Sequence, residues 1–106
     1  VSEGFGLVVR FMLKGDDAAT AFDELCVRTL EGIRELEPGT LVYVSHVPDG
    51  EPLVRVFYEL YTDRAAFEEH EAQPHVRRFL AERETFLAGI DVTFLNAVAG
   101  KVPPQP

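Results

Sequence analysis

The chain of 106 residues carries 18 acidic and 10 basic side chains, a formal net charge of −8, with 46% hydrophobic residues, one cysteine and no tryptophan. That length suits one domain, which buries roughly two-thirds of its extended surface and needs no disulfide or metal to hold a core. An acidic chain without a basic cluster argues against nucleic acids and anionic membranes as partners, because both are bound through Lys and Arg.

From Phe5 to Lys14 the residues alternate. Phe5, Leu7, Val9, Phe11 and Leu13 fall on one side, and Gly6, Val8, Arg10, Met12 and Lys14 on the other, which is the period of a strand. Gly15-Asp16-Asp17 then offers a turn and an N-cap carboxylate, after which Phe22, Leu25, Cys26, Thr29, Ile33 and Leu36 recur at helical spacing until Pro38-Gly39. Cys26 lies among those apolar positions and has no second cysteine to pair with, so a reduced core thiol and a cytoplasmic location are expected. Thr40 to His46 and Leu53 to Tyr61 are rich in β-branched and aromatic residues and flank Pro48-Asp49-Gly50, the pattern of a hairpin. Asp63 is placed to cap a short helix through Glu71, Pro74 to open another, and Gly89 to close it before a strand from Ile90 to Ala99. No run approaches the roughly 20 apolar residues of a membrane span. Val102 to Pro106, with three prolines, reads as a frayed tail behind one domain over residues 1–101.

The order strand, helix, strand, strand, helical pair, strand predicts a ferredoxin-like α+β fold, βαββαβ, with a four-stranded antiparallel sheet and its helices on one face. The helix-free face would still show Val8 and Met12, together with either Leu53, Phe57 and Tyr61 or Val54, Val56, Tyr58 and Leu60. Neither side is polar enough to meet water comfortably, so a homodimer packed sheet against sheet is expected.

The chain has no Gly-rich phosphate loop, no Cys or His pair at structural zinc spacing and no nucleophile elbow. Two of its three histidines, His70 and His75, fall in one short segment. His70 shares a helix face with Phe67 and so points inward, where an imidazole serves either as a base near neutral pH or as a hydrogen-bonded interior residue. His75, in the first turn after Pro74, suits a surface position or a ligand contact, and the proline break between the two histidines disfavours a shared metal. Arg83 falls near the centre of the stripe Val76, Phe79, Leu80, Phe86 and Leu87. A guanidinium there either snorkels, pairs with Glu59 or Asp91, or binds an anionic oxygen in a cleft. Tyr58 and Asn96 each place one polar group on an apolar strand face, as a satisfied core group or a ligand contact. Arg10 and Arg55 are assigned to the subunit interface or the solvent.

The layout over nearly the whole chain, with Phe57-Tyr58-Glu59-Leu60-Tyr61-Thr62-Asp63-Arg64-Ala65-Ala66-Phe67-Glu68-Glu69-His70 and the following Gln73-Pro74-His75-Val76, resembles the antibiotic biosynthesis monooxygenase domain. The resemblance implies a dimeric α+β barrel with a cleft between sheet and helices in each subunit. It also implies a cofactor-independent oxygenase that turns a phenol, anthrone or hydroquinone into a quinone, with dioxygen as co-substrate. The first strand lacks the asparagine of the haem-degrading branch and the chain lacks its pocket tryptophan, which argues against haem. In that reading His70 is the base, Arg83 or Tyr58 faces the phenolate oxygen, and Phe11, Phe79 and Phe94 form the wall. His75 and Asn96 complete the substrate contacts, and no metal is expected. The alternatives are a small-molecule-binding or accessory dimer without turnover, and a cofactor-free isomerase on the same fold.

Overall fold

The computed structural model describes residues 4–102, so the proline-rich tail lies outside the described residues apart from Val102. Strand β1 (Phe5–Leu13) follows the sequence alternation. Helix α1 (Asp16–Leu36) starts one residue earlier than a carboxylate cap would require. Gly15 is its N-cap and provides no side-chain hydrogen bond, while Asp16 and Asp17 lie inside the first turn. There they act on the positive end of the helix dipole and do not cap it.

The hairpin β2 (Thr40–His46) and β3 (Val54–Tyr61) forms as expected. Its connection contains a Pro48–Glu51 turn closed by a 3.1 Å backbone hydrogen bond, with Gly50 at φ 78°. Only glycine takes that left-handed value without strain. Asp63 caps α2 (Arg64–Ala72) by accepting from the Ala66 amide, and Pro74 occupies the first turn of α3 (Pro74–Glu82). The chain then departs from the sequence expectation. A 3-10 turn over Arg83–Phe86 leads directly into β4 (Leu87–Asn96), so Gly89 lies within the strand and does not close the helix. The register between β1 and β4 shifts at Met12/Leu13, and a Cβ on Gly89 would come within 2.8 Å of the Met12 Cε. Gly89 therefore marks an irregularity at the strand entry, the other position where isolated glycines recur.

All pairings are antiparallel in the order β2-β3-β1-β4, with α1 and the α2–α3 pair on one face. No helix among the described residues is long and apolar enough to cross a membrane. The core joins Leu7, Val9, Phe11 and Leu13 of β1 to Phe22, Leu25 and Cys26 of α1, Phe57 and Tyr61 of β3, and Phe79 of α3. Phe11, Phe22, Phe57 and Phe79 form an aromatic cluster with ring centroids 4.9–6.2 Å apart. Tilted and edge-on pairs of this kind each contribute about 0.5–1.5 kcal/mol beyond the area they bury. The register also settles which side of β3 faces in. Arg55, Phe57, Glu59 and Tyr61 meet the helices, and Val56 and Tyr58 join Val8, Met12, Val42 and Val44 on the helix-free face.

Two arginines differ in consequence. Arg10 lies on the helix-free face and pairs with Glu51. Arg55, assigned by its sequence position to an interface or the solvent, is buried and grips both carboxylate oxygens of Asp23 on α1 at 2.8 and 2.9 Å. Its remaining donors reach the carbonyls of Pro52 and Val54. The inward pleat placed this charge inside, and a bidentate partner makes that placement tolerable.

Candidate functional site

Between the sheet and the α2–α3 pair lies a cavity of about 120 Å³. Leu7, Val9, Phe67, Val76, Phe79 and Leu80 give it apolar walls, and its polar side chains are Tyr43, Glu59, His70, Glu71 and Arg83. Its rim is Ile90, Val92 and Phe94 of the edge strand β4, whose side chains are 39%, 46% and 56% exposed. An apolar hollow with a few converging polar groups is the usual form of a small-molecule site.

His70 is buried at 4% exposure, and its Nδ1 lies 2.6 Å from Oε1 of Glu37, the C-cap residue of α1. Oε2 of the same carboxylate lies 2.5 Å from Nε2 of His75, and the Thr40 hydroxyl donates to Oε1 at 2.8 Å. Three donors thus converge on one buried carboxylate. Burial alone would push Glu37 up, but the hydrogen bonds from His70, Thr40 and His75 outweigh it and hold the carboxyl below its ordinary range. Because His70 uses Nδ1 on Glu37, Nε2 is the ring nitrogen left for the cavity.

Glu59 behaves in the opposite way. Burial pushes its carboxyl above the ordinary range, and this is only partly offset by the Tyr61 hydroxyl that donates to it at 2.6 Å and by the charge of Arg83. Tyr43 and Tyr61 are themselves raised, first by burial and then by Glu59. Arg83, the C-cap of α3, forms neither of the ion pairs its sequence position allowed. Its guanidinium lies 5.4 Å and 5.6 Å from the ring centroids of Phe11 and Phe79, and Nε is buried without a hydrogen-bond partner among the described residues. A buried donor without a partner is uncommon, and the guanidinium it belongs to lines the cavity.

The cavity therefore unites three of the residues singled out from the sequence, His70, Arg83 and Phe79. Phe94 is at its rim, and Phe11 lies beneath Arg83. The other three do not line it. His75 turns away to Glu37, with its ring passing close over Gly32 of α1. Tyr58 is opposite Val8 and Val44 on the helix-free face, one residue out of phase with the inward pleat. Asn96 is exposed at the end of β4. Glu37 is not among the residues singled out from the sequence, where Glu59 figures as a possible partner for Arg83. Both carried a signal. Glu37 is a carboxylate at the negative end of a long helix, where it needs a partner, and Glu59 lies midway between inward-facing Phe57 and Tyr61 at period two.

A wider groove of about 760 Å³ runs between α1 and β2, but its buried charges are already paired, Asp23 with Arg55 and Glu37 with the histidines. The Cys26 thiol there is pushed up to about 12, by burial and then by Asp23, which makes it a poor nucleophile. Among the described residues no group of three His, Cys, Asp or Glu side chains is arranged to hold a metal ion.

The sequence profile of the antibiotic biosynthesis monooxygenase family matches residues 5–82. The chain belongs to that family. The match takes in β1 through α3, and hence Glu37, Glu59, His70 and His75. A Mycobacterium tuberculosis protein of known structure is similar at 26% identity and a TM-score of 0.82, over 92% of this chain and 97% of its own. A candidate antibiotic biosynthesis monooxygenase of Caulobacter crescentus superimposes with a TM-score of 0.82 at 24% identity, covering 92% of each chain. Another from Bacteroides thetaiotaomicron gives 0.82 at 18% identity, over 92% of this chain and 91% of that one. At those two identities the likeness speaks for the fold. No curated protein sequence matches the chain. The family's monooxygenase-like fold, a four-stranded antiparallel sheet with helices on one face, is the one seen here.

Proposed function

We propose that this chain is a cofactor-independent monooxygenase that oxidises a phenolic substrate of the phenol, hydroquinone or anthrone type to a quinone with dioxygen. The observation that carries the reading is one cavity lined both by an imidazole whose Nδ1 is engaged by Glu37, leaving Nε2, and by the guanidinium of Arg83, which forms no ion pair among the described residues. His70 takes the phenolic proton, and Arg83 stabilises the oxygen left negative. The phenolate passes one electron to dioxygen, and the resulting radical pair joins at a ring carbon to give a peroxide. His70 returns its proton to the terminal oxygen. The O–O bond then breaks as that carbon loses its hydrogen as a proton, leaving a ketone and one water. For a phenol the sum is substrate plus O₂ giving quinone plus H₂O, with all electrons supplied by the substrate.

The size of the site narrows the substrate. A cavity of about 150 Å³ holds a benzene ring, so about 120 Å³ takes at most one ring within its walls and is too small for a porphyrin. A tricyclic anthrone would have to extend past the rim of β4. The helix-free face, with Val8, Met12, Val42, Val44, Val56 and Tyr58 partly or wholly exposed, supports a homodimer built sheet against sheet.

Dioxygen uptake by metal-stripped protein tests the reading. Enzyme-dependent uptake with hydroquinones, lost by about a hundredfold or more in His70→Ala, is the expected result. A loss within threefold removes His70 as the base. No uptake with any phenol, hydroquinone or anthrone, alongside a ligand-induced rise in Tm, transfers the site to binding without turnover.

A further inference from the structure

We propose that Glu37 is a positioning residue, whose carboxylate, held between His70 and His75, fixes the His70 imidazole with its proton on Nδ1 and its basic Nε2 toward the cavity. The proposal rests on the reading of His70 as the base.

Glu37 does not line the cavity, and its side chain is 4% exposed. Both of its oxygens are occupied, Oε1 by His70 and Thr40 and Oε2 by His75. An ionised carboxylate only accepts, so each imidazole presents an N–H to it. For His70 that proton is on Nδ1, and the neutral ring then carries its lone pair on Nε2. The same logic orients a catalytic histidine wherever a buried carboxylate holds its far nitrogen.

Two features of α1 that disfavour a helix are explained by this cluster. Gly32 lies in the helix interior, where glycine costs about 1 kcal/mol relative to alanine. A Cβ there would come within 2.5 Å of the His75 ring, so the glycine makes room for His75 to reach Glu37. Glu37 places a negative charge at the negative end of a 21-residue helix, which only local donors make tolerable. Neither residue improves the helix, and both are needed for the clamp.

The surroundings leave Glu37 as the group that sets the tautomer. The rings of Tyr43 on β2 and Tyr61 on β3 flank His70 at 5.5 and 5.2 Å between centroids, and Phe67 stacks at 6.4 Å. Glu59 on β3, Glu71 on α2 and Arg83 after α3 share the cavity. Among the described residues none of these makes a hydrogen bond to the imidazole.

Long-range ¹⁵N–¹H correlation spectra of the free wild-type protein read the tautomer directly. The expected spectrum has a protonated Nδ1 and an unprotonated Nε2 on neutral His70, and a proton on Nε2 instead overturns the proposal. In Glu37→Gln the amide offers both an acceptor and a donor, so the preference is lost. In that variant kcat falls at least tenfold while KM stays within threefold. An unchanged tautomer with unchanged kcat in a folded Glu37→Gln also overturns it. If that variant does not fold, the wild-type spectrum decides alone. If the wild type consumes no oxygen, the proposed activity fails, and the spectra still decide whether Glu37 holds the ring.

Discussion

His70 Nδ1 lies 2.6 Å from Oε1 of Glu37, a residue 33 positions earlier in the chain, and both side chains are 4% exposed. The contact joins the end of α1 to α2 beneath the cavity, so the orientation of the proposed base is fixed by a residue outside its own helix. One wall away, Glu59 is buried with a single hydroxyl donor. Two acids in one core thus meet opposite environments.

Their effects on stability have opposite signs. Glu37 is held below its ordinary range, so its contribution is fully present above the unfolded value of about 4.3 and is lost as pH falls through the folded value. Glu59 is held above its ordinary range, so the folded state is favoured by its protonation and loses stability as pH rises from about 4.3 through the folded value. Thermal unfolding between acidic and neutral pH checks both. At neutral pH Glu59→Gln is expected to raise Tm and Glu37→Gln to lower it, and the Glu37→Gln deficit should vanish in acid. A Tm lowered by Glu59→Gln at neutral pH contradicts the account.

Arg83 separates function from stability. Among the described residues its Nε has no hydrogen-bond partner, and it contributes packing over Phe11 and Phe79 more than hydrogen bonds. Arg83→Met keeps much of that packing and removes the cation. Turnover of a phenolic substrate is expected to fall about a hundredfold, the usual loss for one oxyanion donor, while the denaturation midpoint stays within experimental spread. A large loss of stability with little change in turnover would place Arg83 in the core.

Tyr58 tests the subunit arrangement. It stands 36% exposed among apolar neighbours on the helix-free face. Tyr58→Arg would bury a charge in a sheet-to-sheet interface, so sedimentation is expected to show a wild-type dimer and a monomeric, folded variant. A monomeric wild type, or an unaffected dimer in the variant, counts against that interface.

Much of the fold was legible because its periods are clean. The alternation of β1, the spacing of Phe22, Leu25, Cys26, Thr29 and Ile33, and the Asp63 cap each survive in the structure. The entry to β4 was misplaced because Gly89 matches a helix-closing signal, and only its pairing beside Met12 shows that it belongs to a strand. In the site, His70 could be placed from its helix face. Its partner could not, because the bond to Glu37 spans two elements and leaves no mark in local spacing. The side that Tyr58 faces was not legible because β3 is apolar on both faces, so alternation alone left its phase open until the pairing with β1 fixed it.

Oxidation under ¹⁸O₂ tests the central claim most directly. Metal-stripped wild-type protein given a single-ring hydroquinone is expected to yield a quinone carrying one new ¹⁸O atom, with the second atom recovered in water. The rate should fall about a hundredfold or more in His70→Ala. A product without ¹⁸O, or labelling at the same rate in His70→Ala, would contradict the account.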